Sequence, residues 1–161
     1  MTRSDYYEKL ESLISNNNGL LRSKDATEAG IPRLYVIEYA KQNLLENVQK
    51  GIYLSKDAMA DGMYLLQCAH PNAVFSHETA LFLHDLTDRE PLQYTVTVKS
   101  GYNPVRLAEK GVKVYKVKPD LFELGLEKKE TPFGRTVRTY DRERTICDVV
   151  RSRSRIDFQS V

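Results

Sequence analysis

Long apolar runs, cysteine frameworks and glycine-rich loops are all missing from this sequence, and each absence removes a class of protein. No stretch of the roughly eighteen apolar residues that a membrane-spanning helix needs occurs. Met1 to Leu13 is charged and amphipathic where a secretory leader would be apolar. The only two cysteines, Cys68 and Cys147, lie far apart and match no metal-ligand spacing, so neither a disulfide framework nor a zinc site is expected. Both read as small core residues. Neither a P-loop nor a paired-glycine dinucleotide fingerprint is present. A strong charge of one sign is missing too: 24 basic against 22 acidic side chains leave a net charge of +2. Bulk charge therefore neither marks nor excludes a nucleic-acid binder. A soluble, cytoplasmic protein with no cofactor and no membrane partner is expected.

What is present is a chain of 161 residues, 41% hydrophobic, long enough for one ordinary domain or two small ones. The first 57 residues balance basic and acidic side chains, whereas seven arginines against four acids follow from Arg135 onward.

Tyr6, Leu10, Leu13 and Ile14 recur at helical spacing after Ser4, an expected N-cap, and the run Asn16 to Gly19 ends that helix. Leu20-Leu21 is a short extended pair. Ser23 is expected to cap a second helix, Lys24 to Ala29, stopped by Gly30. Pro32 suits the first position of a third helix through about Gln42. That helix buries Val36, Tyr39 and Ala40 and leaves Arg33, Tyr35, Glu38, Lys41 and Gln42 able to face outward. Leu44 to Val48, a turn at Gln49-Lys50-Gly51 and Ile52 to Leu54 then read as a hairpin.

Helix, short strand, short helix, tight turn, helix, hairpin is the order of a winged helix-turn-helix. In such a module the third helix enters the DNA major groove and the wing lies on the backbone. Arg22, Ser23 and Lys24 would then meet phosphates, Arg33 and Tyr35 base edges, Lys41 the flank and Lys50 the backbone at the wing tip. Two alternatives stay open. Winged helices also serve as protein adaptors, and Arg33 has Glu38 and Glu28 as surface partners while Tyr35 has the core.

A boundary near Ala58 gives domains 1–57 and 58–161. Beyond it, Met63 to Ala69 is apolar, and Ser76 opens a helix with Ala80, Leu81, Leu83 and Leu86 on its apolar face. Tyr94 to Val98, Val112 to Val117 and Val137 to Tyr140 read as strands, and Asp141 caps a last helix through Ile146, Val149 and Val150. The fold class is α+β: the N-terminal winged helix-turn-helix followed by a mixed α/β domain around one small sheet. Ile156-Asp157-Phe158 looks like the opening of a further helix, as if the chain were truncated.

His70, His77 and His84 fall seven apart, and His77 and His84 share a helix with Asp85 and Asp88. A metal-dependent nucleic-acid-processing site is one reading. Helical metal ligands, however, ordinarily sit at i and i+4. Cys147 has no histidine nearby in sequence and reads as buried and inert, so neither a catalytic residue nor a metal site is assigned. At helical spacing Arg144 and Arg151 share a side, and Arg138 on a neighbouring strand joins them. They form either a second phosphate-contacting surface or a solvated face paired with Asp141, Glu143 and Asp148.

Three stretches carry a family resemblance. They are Gly30-Ile31-Pro32-Arg33 with Gly51-Ile52-Tyr53-Leu54; Ser76 to His84 followed by Leu86-Thr87-Asp88-Arg89 and Pro91; and Tyr140 to Asp148. In these the chain resembles the AbiEi antitoxins of type IV, abortive-infection toxin-antitoxin systems. The resemblance implies a repressor of its own operon that binds promoter inverted repeats and is a monomer paired on DNA. It further implies a nucleotidyltransferase-like toxin neutralised without a stable complex, with antitoxicity in the C-terminal domain.

Overall fold

A computed structural model of the chain describes residues 1–156. Its internal contacts divide it into two units, Met1–Asp61 and Gly62–Val161.

The first unit runs α1 (Arg3–Asn16), β1 (Leu20–Arg22), α2 (Ser23–Glu28), α3 (Arg33–Gln42), β2 (Glu46–Gln49) and β3 (Ile52–Leu54). Helix α1 starts earlier than its apolar spacing suggests. Thr2, not Ser4, is the cap: its hydroxyl accepts from the Asp5 N–H at 3.3 Å while the Asp5 carboxylate accepts from the Thr2 N–H at 2.7 Å. This reciprocal pairing satisfies two otherwise orphaned donors. The chain reverses after α1 through Asn18 and Gly19, both with positive φ. A Cβ at Gly19 would stand 2.5 Å from the Ala58 Cβ, so only glycine fits there.

Helix α2 opens at Ser23 with Arg22 at the N-cap, and α3 opens at Arg33 with Pro32 in an extended cap conformation. Between the two helices the Ile31 N–H donates to the Ala26 carbonyl at 2.9 Å. The hairpin begins two residues later than its hydrophobicity suggests, because Leu44 has a positive φ and is solvent-exposed. Strand β1 joins the hairpin, giving an antiparallel sheet of order β1-β3-β2 with Leu20 opposite Leu54 and Arg22 opposite Ile52. Leu10, Leu21, Ala26, Ile31, Val36 and Tyr39 form the core beneath the three helices. This is the winged helix-turn-helix arrangement within an α+β fold.

The second unit continues with α4 (Gly62–Ala69), β4 (Val74–Phe75), α5 (His77–Leu83), β5 (Thr95–Lys99), α6 (Val105–Glu109), β6 (Lys113–Val117), α7 (Pro119–Phe122), β7 (Leu126–Glu130), β8 (Thr136–Tyr140) and α8 (Arg142–Arg151). A short 3-10 turn, Arg153–Arg155, follows. The five strands form one mixed sheet of order β6-β5-β4-β8-β7, parallel at β5/β6 and β4/β8 and antiparallel at β4/β5 and β7/β8.

Strand β5 shows why alternation alone gives half its story. Val96 and Val98 enter the apolar cluster with Met63, Leu66, Phe75 and Leu107. Thr95 and Thr97, equally buried, face polar partners: Thr97 Oγ1 donates to Ser76 Oγ at 2.7 Å and Thr95 Oγ1 to Glu78 at 3.0 Å. Burial on both sides demands satisfied hydroxyls, and the network supplies them.

Helix α8 is turned differently from the sequence expectation. Its buried stripe is Arg144, Thr145, Asp148 and Val149, while Ile146 and Val150 point to solvent. A buried ion pair on the inner side reverses the reading that apolar spacing gives. Two further corrections follow. Cys147, expected inside, is exposed, and Cys68 is half-buried. Leu86, expected on the apolar face of α5, is also exposed because α5 ends at Leu83. The helix expected to open at Ile156-Asp157-Phe158 lies outside the described residues except for Ile156, which is buried against Leu81 and Val149.

Candidate nucleic-acid interface

Within the first unit α3 is anchored from below and open above. Val36, Tyr39 and Ala40 are buried, and Tyr35 is half-buried with its ring 4.7 Å from that of Tyr6. Glu38 pairs with Arg3 at 3.4 Å, and Gln42 accepts from the Tyr7 hydroxyl at 3.3 Å. Tyr35, Glu38 and Gln42 are therefore engaged with α1, which explains why Tyr35 is not freely presented where a base-contacting residue is expected. Helical periodicity leaves Arg33, Leu34, Ile37 and Lys41 within one outward arc of about 100°, and all four are exposed.

Two more exposed cations lie on other elements of the same unit. Lys24 on α2 and Lys50 at the wing tip are exposed. The Ser23 N–H donates to the Gly51 carbonyl at 2.8 Å, which fastens the wing turn to the start of α2 and so sets these two lysines on abutting elements. Arg22 is half-buried beside Asp25, with the guanidinium 3.9 Å from the carboxylate. Among the described residues Lys24, Arg33, Lys41 and Lys50 have no carboxylate partner within ion-pair distance; Glu38, the alternative partner for Arg33, is held by Arg3. Four exposed cations in one unit, without a carboxylate partner among the described residues, suit a polyanion.

The arginines of the second unit do not assemble as expected. Arg144 is buried: its guanidinium donates to the Leu121 and Leu124 carbonyls at 2.6 and 2.7 Å and to Asp148 at 3.0 Å, lying over the Tyr140 ring. It cannot contact a phosphate from there, because removing it from these acceptors would strand Asp148 in the interior. Arg151 is exposed and pairs with the same Asp148 at 2.5 Å. Arg138 is half-buried on β8 in a different depression, with Lys99 and Glu123.

The histidine and acid cluster also separates. His77 is buried, with Nδ1 2.9 Å from Ser76 Oγ and Nε2 3.2 Å from Ser152 Oγ, and its ring stacks on Tyr115. Burial, with Arg151, Lys113 and Arg155 near, pushes its pKa down to about 3. His84 is buried against the Tyr140 carbonyl at 2.7 Å, while Asp85 and Asp88 are exposed. Among the described residues no group of three His, Cys, Asp or Glu side chains is placed to hold a metal. No helix among them is long and apolar enough to cross a membrane.

Leu34 and Ile37 share the exposed face with Arg33 and Lys41 but are not marked by charge. The available signal was their spacing: with Lys41 they stand at i, i+3 and i+7, opposite the Val36, Tyr39 and Ala40 face.

No curated protein matches this chain. A crystal structure of the RV2827C protein from Mycobacterium tuberculosis is similar over 71% of the chain at 19% identity, with a TM-score of 0.45; the chain spans 45% of that structure's length. From Glu8 on α1 to Lys56 beyond β3, the winged helix-turn-helix matches the family described as "Transcriptional regulator, AbiEi antitoxin".

Proposed function

We propose that this chain is the DNA-binding autorepressor and antitoxin of a type IV abortive-infection toxin-antitoxin pair. The observation that carries this reading is the outward face of α3 with exposed Arg33 and Lys41, joined by exposed Lys24 on α2 and Lys50 at the wing turn, on a module whose residues 8–56 match a transcriptional regulator family. Arg33 opens the helix that enters the major groove, where a guanidinium meets the O6 and N7 acceptors of guanine. Lys24, Lys41 and Lys50 neutralise phosphates and fix the register, assisted by Ser23 and Arg22.

Two copies, monomeric in solution, occupy the two halves of an inverted repeat upstream of their own gene. The second unit supplies antitoxicity against a nucleotidyltransferase-like toxin, without a stable complex. The two units, Met1–Asp61 and Gly62–Val161, suit this division of labour, with the boundary a few residues beyond the Ala58 position that composition suggests. Arg138 and Arg151 remain candidates for a further DNA contact. No catalytic step is assigned to the chain.

A mobility-shift titration against the DNA upstream of its own gene tests the reading. Stepwise, specific and salt-sensitive shifts are expected. Equal binding to scrambled DNA refutes it.

A further inference from the structure

The outward stripe of α3 is unusual for a polar surface. Between Arg33 and Lys41 it presents two aliphatic side chains, Leu34 at 61% and Ile37 at 44% exposure, that lie outside the buried cluster formed by Leu10, Leu21, Ala26, Ile31, Val36 and Tyr39. Scattered exposed leucines need no explanation. Two of them on the groove-facing stripe of a helix-turn-helix do, because whatever that stripe meets must accept apolar contact at its centre and positive charge at its margins.

The major groove satisfies that description at only one kind of base pair. A G·C pair offers N7, O6 and the N4 amino group, all polar, and an aliphatic side chain pressed on them removes water without replacing its hydrogen bonds. An A·T pair adds the C5-methyl group of thymine, an apolar knob in an otherwise polar groove floor. Resting on the DNA-binding reading above, we infer that Leu34 and Ile37 are specificity-determining residues that pack on thymine methyl groups. Each half-site then carries thymines beside the guanine that Arg33 takes.

The two side chains act only through a methyl. They carry no charge and release no counterions, so they contribute to sequence preference and leave the salt dependence to Lys24, Arg33, Lys41 and Lys50. They also disfavour G·C at their positions, since specificity is a difference between partners and an unsatisfied edge is its repulsive half.

Uracil differs from thymine only by the missing methyl, which makes the test direct. The upstream promoter fragment is prepared with thymine and, separately, with uracil throughout, and each is titrated with the full chain and with a Leu34→Ala/Ile37→Ala variant. Both positions are exposed, so the variant keeps its core; an unchanged thermal melt confirms this. The full chain is expected to bind uracil DNA about fourfold more weakly for each methyl contacted, about sixteenfold for two. The variant should bind thymine DNA correspondingly weakly, be indifferent to the replacement and keep the salt slope.

Specific promoter binding that is equally tight on uracil DNA overturns the methyl contact and leaves the repressor reading standing. A uracil effect of the same size in the variant means that altered duplex shape, not Leu34 and Ile37, causes it, and also overturns the inference. Self-association that the variant abolishes, without any uracil effect, makes the stripe a protein interface instead. Absence of any promoter preference removes the reading and the inference together.

Discussion

Replacing Arg144 by methionine separates two accounts of the arginine-rich end. Arg144 spends its guanidinium inside the second unit, on the carbonyls of Leu121 and Leu124 and on Asp148, at distances between 2.6 and 3.1 Å. Its side chain is 8% exposed and that of Asp148 is 2% exposed. Removing one partner of a buried pair typically costs about 3–5 kcal/mol, because the remaining charge is left uncompensated. Here Arg151 stays 2.5 Å from Asp148 and softens that penalty, which places the expected loss near the lower limit, about 3 kcal/mol. Arg144→Lys keeps the charge but loses the fork that reaches two carbonyls at once, so it should fall between wild type and methionine. Urea unfolding followed by far-ultraviolet circular dichroism reads both variants. A loss under about 0.5 kcal/mol, the range of ordinary surface substitutions, together with weaker DNA binding would refute the buried role and restore Arg144 to a phosphate-contacting surface.

The low pKa of His77, about 3 in the fold against an ordinary 6.5, makes acid a specific stress. The buried ring is neutral in the native state, so its contribution is intact above 6.5 and lost as pH falls towards 3, about 2 kcal/mol by pH 5. His77→Asn, which tolerates the positive φ of this site, should flatten the fall measured between pH 7 and pH 5; an unaltered slope would count against it. Gly19→Ala meets both positive φ and the Ala58 Cβ, whereas Gly30→Ala has positive φ with nothing within 4 Å. The first should cost roughly 2–4 kcal/mol and the second about 1–2, and equal melting shifts would contradict the packing argument. Lys50→Ala should weaken binding to every DNA sequence alike and lower the salt slope by about 0.9; a change in sequence preference would place Lys50 elsewhere than on the backbone.

The first unit was largely legible because each of its elements carries its own punctuation: Gly19, Gly30, Pro32 and Gly51 each mark a turn. What was missed there is local, such as the Thr2 and Asp5 cap, hidden because Ser4 also suits a cap position. The second unit was harder for identifiable reasons. Its central strand β4 is only two residues long, too short for any period to show. Edge strand β7 reads Leu-Glu-Lys-Lys-Glu, a charged sequence that resembles a loop but protects an open sheet edge. Helix α8 hides its ion pair inward and shows Ile146 outward, the reverse of the usual pattern.

The same reversal explains the partial reading of the candidate site. Periodicity separates Arg33 and Lys41 from the buried Val36, Tyr39 and Ala40, whereas Glu38, equally able to face outward by spacing, is held by Arg3 on α1. Leu34 and Ile37 went unnoticed because apolar residues in a helix are ordinarily core, and only the packing of α3 against α1 shows which apolar residues lack a partner.

The most direct test of the central claim compares the chain with its Arg33→Ala/Lys41→Ala variant on the DNA upstream of the gene, at two salt concentrations with scrambled competitor. Both residues are exposed and form no ion pair among the described residues, so the variant should melt like wild type. The account predicts that it loses specific, stepwise shifts while wild type shows them and weakens with salt. Promoter binding by the variant as tight and as specific as that of wild type would contradict the assignment of α3 as the helix that reads DNA.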